Sequence, residues 1–417
     1  MNERQKQLRQ FWVILSIVFI GFLGISMPYL IFPALFLNPE FTILPTGTSD
    51  TARAILLGIT LAAYPFGQFI GSPILGSLSD DYGRKGILSV SLIISGLFNL
   101  LTGFAIHWHM LSLLIISRFI TGIMEGNIAI ARAMASDLST ISKHNSFGKI
   151  NAIMSIAYLV GPLLGGLMTD RGIFENFTTS TPFYFICFLF FALAGLTFLV
   201  IENKPITAVT SGKSFLERIN LYRRLLVLFS NKRLKFLLLI STCFTLAVDI
   251  FYEFAPVYLT IKWEFDPSDL VFYNGLLCLA LAVGNGLLPS FFSTRVSNKV
   301  AITCAIGAFS LFLIGVTWTD SHVLMLSFFG LCGLAIGLAV TLLTVKISNS
   351  VSDSIQGEVL GTQLSLRVLG DAFICFFGGL TLLLSPKFIL VLAALMSIAA
   401  MGFYAFKTFI PNIQQSK

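Results

Sequence analysis

The stretch "GSLSDDYGRKG", residues 76 to 86, lies between two long apolar runs and carries four charges and three glycines in eleven residues. Charge is scarce elsewhere. Of 417 residues, 56% are hydrophobic and only 11% are charged, where a soluble domain carries roughly a quarter of its residues as Asp, Glu, Lys or Arg. The stretch therefore reads as a polar link between two membrane-crossing segments, and the rest of the chain can be ordered around it.

Apolar runs of about 20 residues, enough to cross a hydrocarbon core about 30 Å thick, recur along the whole length. Charges, prolines and polar clusters delimit about twelve of them: 11 to 37, 53 to 79, 87 to 106, 110 to 135, 149 to 169, 182 to 201, 236 to 260, 270 to 292, 299 to 318, 322 to 347, 358 to 383 and 387 to 408. The first has a basic lead-in similar to a signal peptide, yet it is too long and lacks a small-residue cleavage site, so a retained anchor is expected. The longest polar stretch, Glu202 to Lys235, leaves six spans on each side. Within it, "SFLERINLYRRLLVLFSNKR" interleaves apolar and basic residues in the manner of a helix lying on an anionic membrane surface.

The formal net charge of +7 does not point to nucleic acid. With the N-terminus inside, 19 of the 27 Lys and Arg fall in cytoplasmic tails and loops, and only Arg53, Arg171, Lys262 and Lys387 fall in outside loops. That asymmetry follows the positive-inside rule, places both termini in the cytoplasm and leaves no basic patch for DNA. The six cysteines lie within apolar spans with no C-x-x-C spacing, and they read as small core residues without a redox or metal role. His107, His109, His144 and His322 sit in or beside loops with no zinc-site spacing.

The halves echo one another faintly. "FGKINAIMSIAYLVGPLLGG" from residue 147 and "QGEVLGTQLSLRVLGDAFICFFGG" from residue 356 share a polar entry, small residues inside the span and a terminal Gly pair. Internal duplication of this kind suits proteins that rock one half against the other around a central site.

Gly76 to Lys85, placed between the second and third spans, resembles the signature loop of the major facilitator superfamily: glycines at Gly76 and Gly83, an acid at Asp80, a basic pair at Arg84 and Lys85. One position departs, for Asp81 stands where the family usually has Arg or Lys. The glycines are expected to let the backbone turn tightly and the helices approach closely. The resemblance implies that Asp80 accepts hydrogen bonds at the positive N-terminal end of the eleventh span, near Gly357, and that Arg84 pairs with Asp137 at the cytoplasmic end of the fourth. Such contacts would latch the halves on the cytoplasmic side and break on inward opening. "SRFITGIMEGN", with Arg118 and Gly122, is similar to the family's fourth-span motif. "AYLVGPLLGG", with Gly161, Pro162, Gly165 and Gly166, resembles the fifth-span motif of proton-driven antiporters; Ala157 stands where an earlier glycine would fall.

An ionisable group inside a span costs at least about 2.5 to 3.5 kcal/mol, so each invites a functional reading. Arg118, Glu125 and Arg132 are spaced by seven along the fourth span, which puts them on one face of a continuous helix. Glu125 is a candidate proton carrier or cation-binding acid, with Arg118 its candidate partner. On the seventh span Asp249 and Glu253 are one turn apart; like charges repel and burial disfavours both, so at least one is expected to hold a proton at neutral pH, as a proton-coupled carrier requires. Arg367 and Asp371, one turn apart on the eleventh span, are expected to neutralise each other. Tyr29, Gln68, Tyr252, Asn274 and Asn285 could add hydrogen bonds to a substrate or simply join helices.

The resemblance thus implies an all-α membrane protein, with twelve transmembrane helices in two pseudo-symmetric six-helix bundles. Residues 1–201 and 236–417 would form the bundles and 202–235 a cytoplasmic linker. The expected activity is export of a small amphipathic or cationic organic compound across the bacterial inner membrane, in exchange for protons, by alternating access. Proton-coupled uptake of an amino acid, nucleoside or siderophore stays open as an alternative. A membrane-embedded enzyme is remote, because no His, Cys or Ser cluster supplies a nucleophile and base. The partners expected are the substrate, protons and the lipid bilayer, with no cofactor and no nucleic acid, in a monomer.

Overall fold

A computed structural model of the chain describes residues 2–37, 43–136, 138, 143–202, 232–350, 356–381 and 385–409. Its regular structure is helical, and no strand occurs among the described residues. The first span is α1 (Glu3–Ser26) with α2 (Pro28–Leu37), the second α3 (Asp50–Tyr82) and the third α4 (Arg84–His107). The fourth is α5 (Leu111–Met124) with α6 (Gly126–Ser136), the fifth α7 (Lys143–Leu167) and the sixth α8 (Thr181–Val200). The seventh is α9 (Lys232–Trp263), the eighth α10 (Pro267–Gly286) with α11 (Leu288–Ser293), and the ninth α12 (Asn298–Trp318). The last three are α13 (His322–Ser348), α14 (Gln356–Thr381) and α15 (Pro386–Phe409). Ten spans of the described residues are long and apolar enough to cross a membrane, and α7 and α14 complete the twelve. The surface helix expected within Glu202 to Lys235 falls on residues outside those described, apart from its ends.

Contacts divide the chain into two units: Met1–Asn220 with Phe265–Val271, and Leu221–Glu264 with Phe272–Lys417. Large apolar side chains such as Phe198, Leu199, Leu311 and Phe403 remain more than 60% exposed. Patches of this kind on a helical surface suit lipid rather than water.

Three spans are interrupted. The break between α1 and α2 falls at Met27, ahead of Pro28, whose ring removes a backbone donor. That between α10 and α11 falls at Leu287, two residues before Pro289. The third falls at Glu125, where no proline stands: its amide turns to the Gly122 carbonyl, an i to i−3 bond that tightens the turn in mid-span.

Within the first unit, glycine lets backbones touch. On α3, Gly67 and Gly71 face the carbonyls of Phe119 and Ile123 on α5; in return Gly122 faces the Tyr64 carbonyl and Gly126 the Leu75 side chain. These are two reciprocal small-xxx-small pairs, the arrangement that replaces the absent hydrophobic drive between helices in lipid. α7 meets α1 in the same way. The Ala157 carbonyl accepts from Ser26 Oγ at 3.4 Å, while Gly161 faces Ser26 and Gly165 lies against the Met27 carbonyl. In the second unit the eighth span repeats the packing of the second on the fourth: Gly284 lies on the Leu334 carbonyl of α13, Gly333 on Ala280, and Gly337 on the Asn285 amide.

Candidate functional site

Each unit encloses one cluster of ionisable groups, and the first is held by the glycine-packed pair α3 and α5. Tyr64 on α3 donates from its hydroxyl to Glu125 Oε2 at 2.5 Å. The Arg118 guanidinium lies over the same ring, 4.5 Å from its centroid, and 5.7 Å from the Phe32 ring. All three are buried, Glu125 at 1% exposure. Glu125 Oε1 and the Arg118 Nε and Nη1 have no hydrogen-bond partner among the described residues. A β-carbon at Gly21 on α1 would stand 3.1 Å from Glu125 Oε1, so the bare glycine is what gives this oxygen its niche.

The second cluster is a ladder between two unbroken helices. α9 presents Asp249 and Glu253 one turn apart, and α14 presents Arg367, Asp371 and Cys375 at successive turns. Arg367 reaches across with a fork: Nε donates to Asp249 Oδ2 at 2.7 Å and Nη2 to Asp249 Oδ1. One turn further, the Cys375 thiol donates to Glu253 Oε2 at 2.7 Å. Ligand-type atoms of Glu253, Asp371 and Cys375 lie within 4.8 Å of one another. Asp371 Oδ1 is enclosed without a hydrogen-bond partner among the described residues. Among the described residues, three acids thus lie around one guanidinium.

The stretch from 76 to 86 is more helical than a loop reading implies. Residues up to Tyr82 finish α3, α4 starts at Arg84, and Gly83 alone makes the corner, at φ +94° and ψ 133°, a conformation side chains resist. Gly76, by contrast, sits inside α3 with nothing within 4 Å of a β-carbon among the described residues, so it makes no turn and no close approach to any of them. Asp81 is buried. Lys85 lays its ammonium over the Phe198 ring of α8, 5.1 Å from the centroid. The side chains of Asp80 and of residues 356–364, and Asp137 altogether, lie outside those described.

The sequence profile of the Major Facilitator Superfamily matches residues 14–375. The chain belongs to this superfamily. Among curated proteins it is 36% identical over 159 residues to the "Tetracycline resistance protein, class H" of Pasteurella multocida, covering 38% of this chain and 37% of that one. It is 27% identical over 264 residues to the "Quinolone resistance protein NorA" of Staphylococcus aureus (strain MSSA476), covering 63% and 61%. The chain therefore spans less than two thirds of the length of these curated relatives. Its fold is similar to those of the D-xylose-proton symporter (TM-score 0.71, 15% identity, 97% of each chain) and a point variant of the nucleoside transporter NupG (TM-score 0.70, 13% identity, 98% and 100%). Similarity also extends to the human organic anion transporter MFSD10 (TM-score 0.69, 16% identity, 95% and 99%). The twelve-helix, two-bundle major facilitator fold expected from the motifs is the one observed.

For this superfamily member the structure refines the partners expected from sequence. Arg367 directs its fork to Asp249 of α9 rather than to Asp371 one turn along α14, because a carboxylate on a facing helix accepts both tines of the fork. Arg118 stands beside Glu125 as expected, and the two meet across the Tyr64 ring rather than in a direct ion pair. The regular helix is interrupted at Glu125 and resumes at Gly126, between Glu125 and Arg132. Arg132 lies partly exposed in α6, and no described contact joins it to the other two. Of the fifth-span motif, Gly161, Pro162, Gly165 and Gly166 all lie in α7, with Gly161 and Gly165 on the α1–α2 junction. Tyr29 bonds the Tyr158 hydroxyl at 2.8 Å, Asn285 accepts from Thr341 at 2.9 Å, and Asn274 reaches only Cys278 of its own helix, so the first two are helix joints. Tyr64 and Cys375 carry no motif of their own. Paired Gly-xxx-Gly spacings at 67/71 and 122/126 were the available signal for Tyr64, since they set α3 against α5 in the register that brings it to Glu125.

Proposed function

We propose that this chain is a proton-coupled exporter of small amphipathic or cationic organic compounds, working by alternating access in a bacterial plasma membrane with both termini in the cytoplasm. One observation carries the reading: each unit encloses a carboxyl group with an oxygen that lacks a hydrogen-bond partner among the described residues, Glu125 Oε1 in the first and Asp371 Oδ1 in the second. An enclosed acid of this kind is expensive to keep in a membrane protein unless it exchanges its counter-charge, a proton or a cationic substrate, during the working cycle. The resistance proteins among the relatives support a drug-like substrate, and the glycine-packed α7 on α1 supports the antiporter resemblance.

In this reading Glu125 takes up and releases the proton beside Tyr64, and Arg118 receives an acceptor group of the substrate or steadies Glu125 when it is charged. Asp249, held by Arg367, fixes α9 against α14, while Glu253 and Asp371 exchange the second counter-charge. Residues 1–201 and 236–417 act as the moving bodies and 202–235 as the tether. Asp80 with the start of α14, and Arg84 with Asp137, form the cytoplasmic latch. The chain works as a monomer in lipid and performs no covalent chemistry. The test is accumulation of a fluorescent cationic dye in cells with and without the chain, before and after collapse of the proton gradient. Lower accumulation that depends on both chain and gradient is expected; equal accumulation throughout, or higher accumulation with the chain, overturns export.

A further inference from the structure

We propose that Glu253, Asp371 and Cys375 form a binding site for one borderline-soft divalent cation, of the class of Zn²⁺ or Cd²⁺. Two carboxylates and a thiol are a donor set that suits such ions, and hard cations such as Mg²⁺ disfavour the sulfur. The three donor atoms already converge within 4.8 Å. Tetrahedral zinc, with bonds of about 2.1 Å to oxygen and 2.3 Å to sulfur, holds its ligand atoms about 3.4 to 3.6 Å apart, so side-chain shifts on the order of 1 Å close the site.

Two independent features point to a cation there. Asp371 Oδ1 is enclosed, lies in the cluster and has no hydrogen-bond partner among the described residues. Among the described residues Asp249, Glu253 and Asp371 also gather around one guanidinium, and both of the described donations from Arg367 go to Asp249. Glu253 and Cys375 are closed off, and Asp371 is partly exposed. On binding, the metal–sulfur bond replaces the thiol S–H bond, and that proton, until then donated in the hydrogen bond to Glu253 Oε2, leaves to solvent. Three protein ligands leave a fourth position for water or another donor.

The probe is Cd²⁺ alone, titrated into the purified full chain in detergent, following the cadmium–thiolate charge-transfer absorption and the heat of binding. One ion per chain is expected, with the absorption lost in C375S and affinity at least tenfold weaker in both E253Q and D371N. C304S, which alters an exposed cysteine, should behave as the unaltered chain. Absorption that persists in C375S, equal loss in C304S, or unaltered affinity in both E253Q and D371N overturns the site. A second measurement holds even if C375S fails to fold: in the unaltered chain Cd²⁺ should slow alkylation of Cys375 by a small membrane-permeant reagent at least tenfold, read by mass spectrometry. Alkylation at the same rate with and without Cd²⁺ overturns the proposal.

Discussion

In the first unit one acid, Glu125, stands at a break in its helix, beside an arginine that touches it only through a tyrosine ring. In the second, three acids and one arginine lie on two unbroken helices, and the arginine closes a two-pronged bond from one helix to the other. The two clusters therefore hold their charge differently. The first relies on backbone contact between α3 and α5 and leaves Arg118 and Glu125 with idle atoms; the second uses the ion pair itself as the joint between helices and leaves one oxygen of the neighbouring Asp371 idle. A polar centre that must change its counter-charge needs idle atoms, and a joint needs none.

That contrast can be broken most directly at the arginines. R367A leaves Asp249 buried without its cation, which should destabilise the purified protein by about 3 to 5 kcal/mol, while the pair D249N/R367Q should recover most of the loss. R118Q should cost clearly less, because Arg118 Nε and Nη1 hold no partner to abandon. Thermal unfolding in detergent measures both, and equal losses would erase the difference between the clusters. Next in size is Y64F, which removes a hydrogen bond to an acid and should cost about 1.5 to 3 kcal/mol, with a fall in gradient-driven flux. Unchanged melting and unchanged flux would detach Tyr64 from Glu125.

Glycine substitutions sharpen the backbone side of the comparison. G122A places a methyl group on the Tyr64 carbonyl and should cost about 1 to 3 kcal/mol by overpacking, and G83A a similar amount by forcing a side chain into the left-handed region. G76A should be neutral or stabilising by up to about 1 kcal/mol, since alanine favours the helix and meets open space. Equal melting shifts for G122A and G76A would remove the close approach of α3 and α5 as the support of the first cluster.

Much of the architecture was legible because span length and hydropathy are imposed by the bilayer, and one residue type at a time suffices to read them. The ends of α3, α4, α8, α12, α13 and α15 fall within three residues of the expected boundaries. The ionisable residues of both clusters were also legible, since each is costly in a span. Their partners were not. Arg367 with Asp371 looked sufficient within one helix, but the choice between Asp371 and Asp249 depends on which faces meet, which single-helix spacing does not contain. Likewise the seven-residue spacing of Arg118, Glu125 and Arg132 assumes an unbroken helix, and the break at Glu125 bears no proline to announce it. Cys375 looked like filler because a thiol gains a role only when a neighbouring helix brings a carboxylate to it.

One dimension has a mechanical corollary. At 1.5 Å per residue the 33 residues of α3 make a rod of about 50 Å, against a hydrocarbon slab of about 30 Å, so close to 20 Å of it must tilt or stand clear of the oil. A small rotation where its glycines ride on α5 is thus magnified at its far tip, at the Gly83 elbow, in the way a crank turns a short throw into a long stroke.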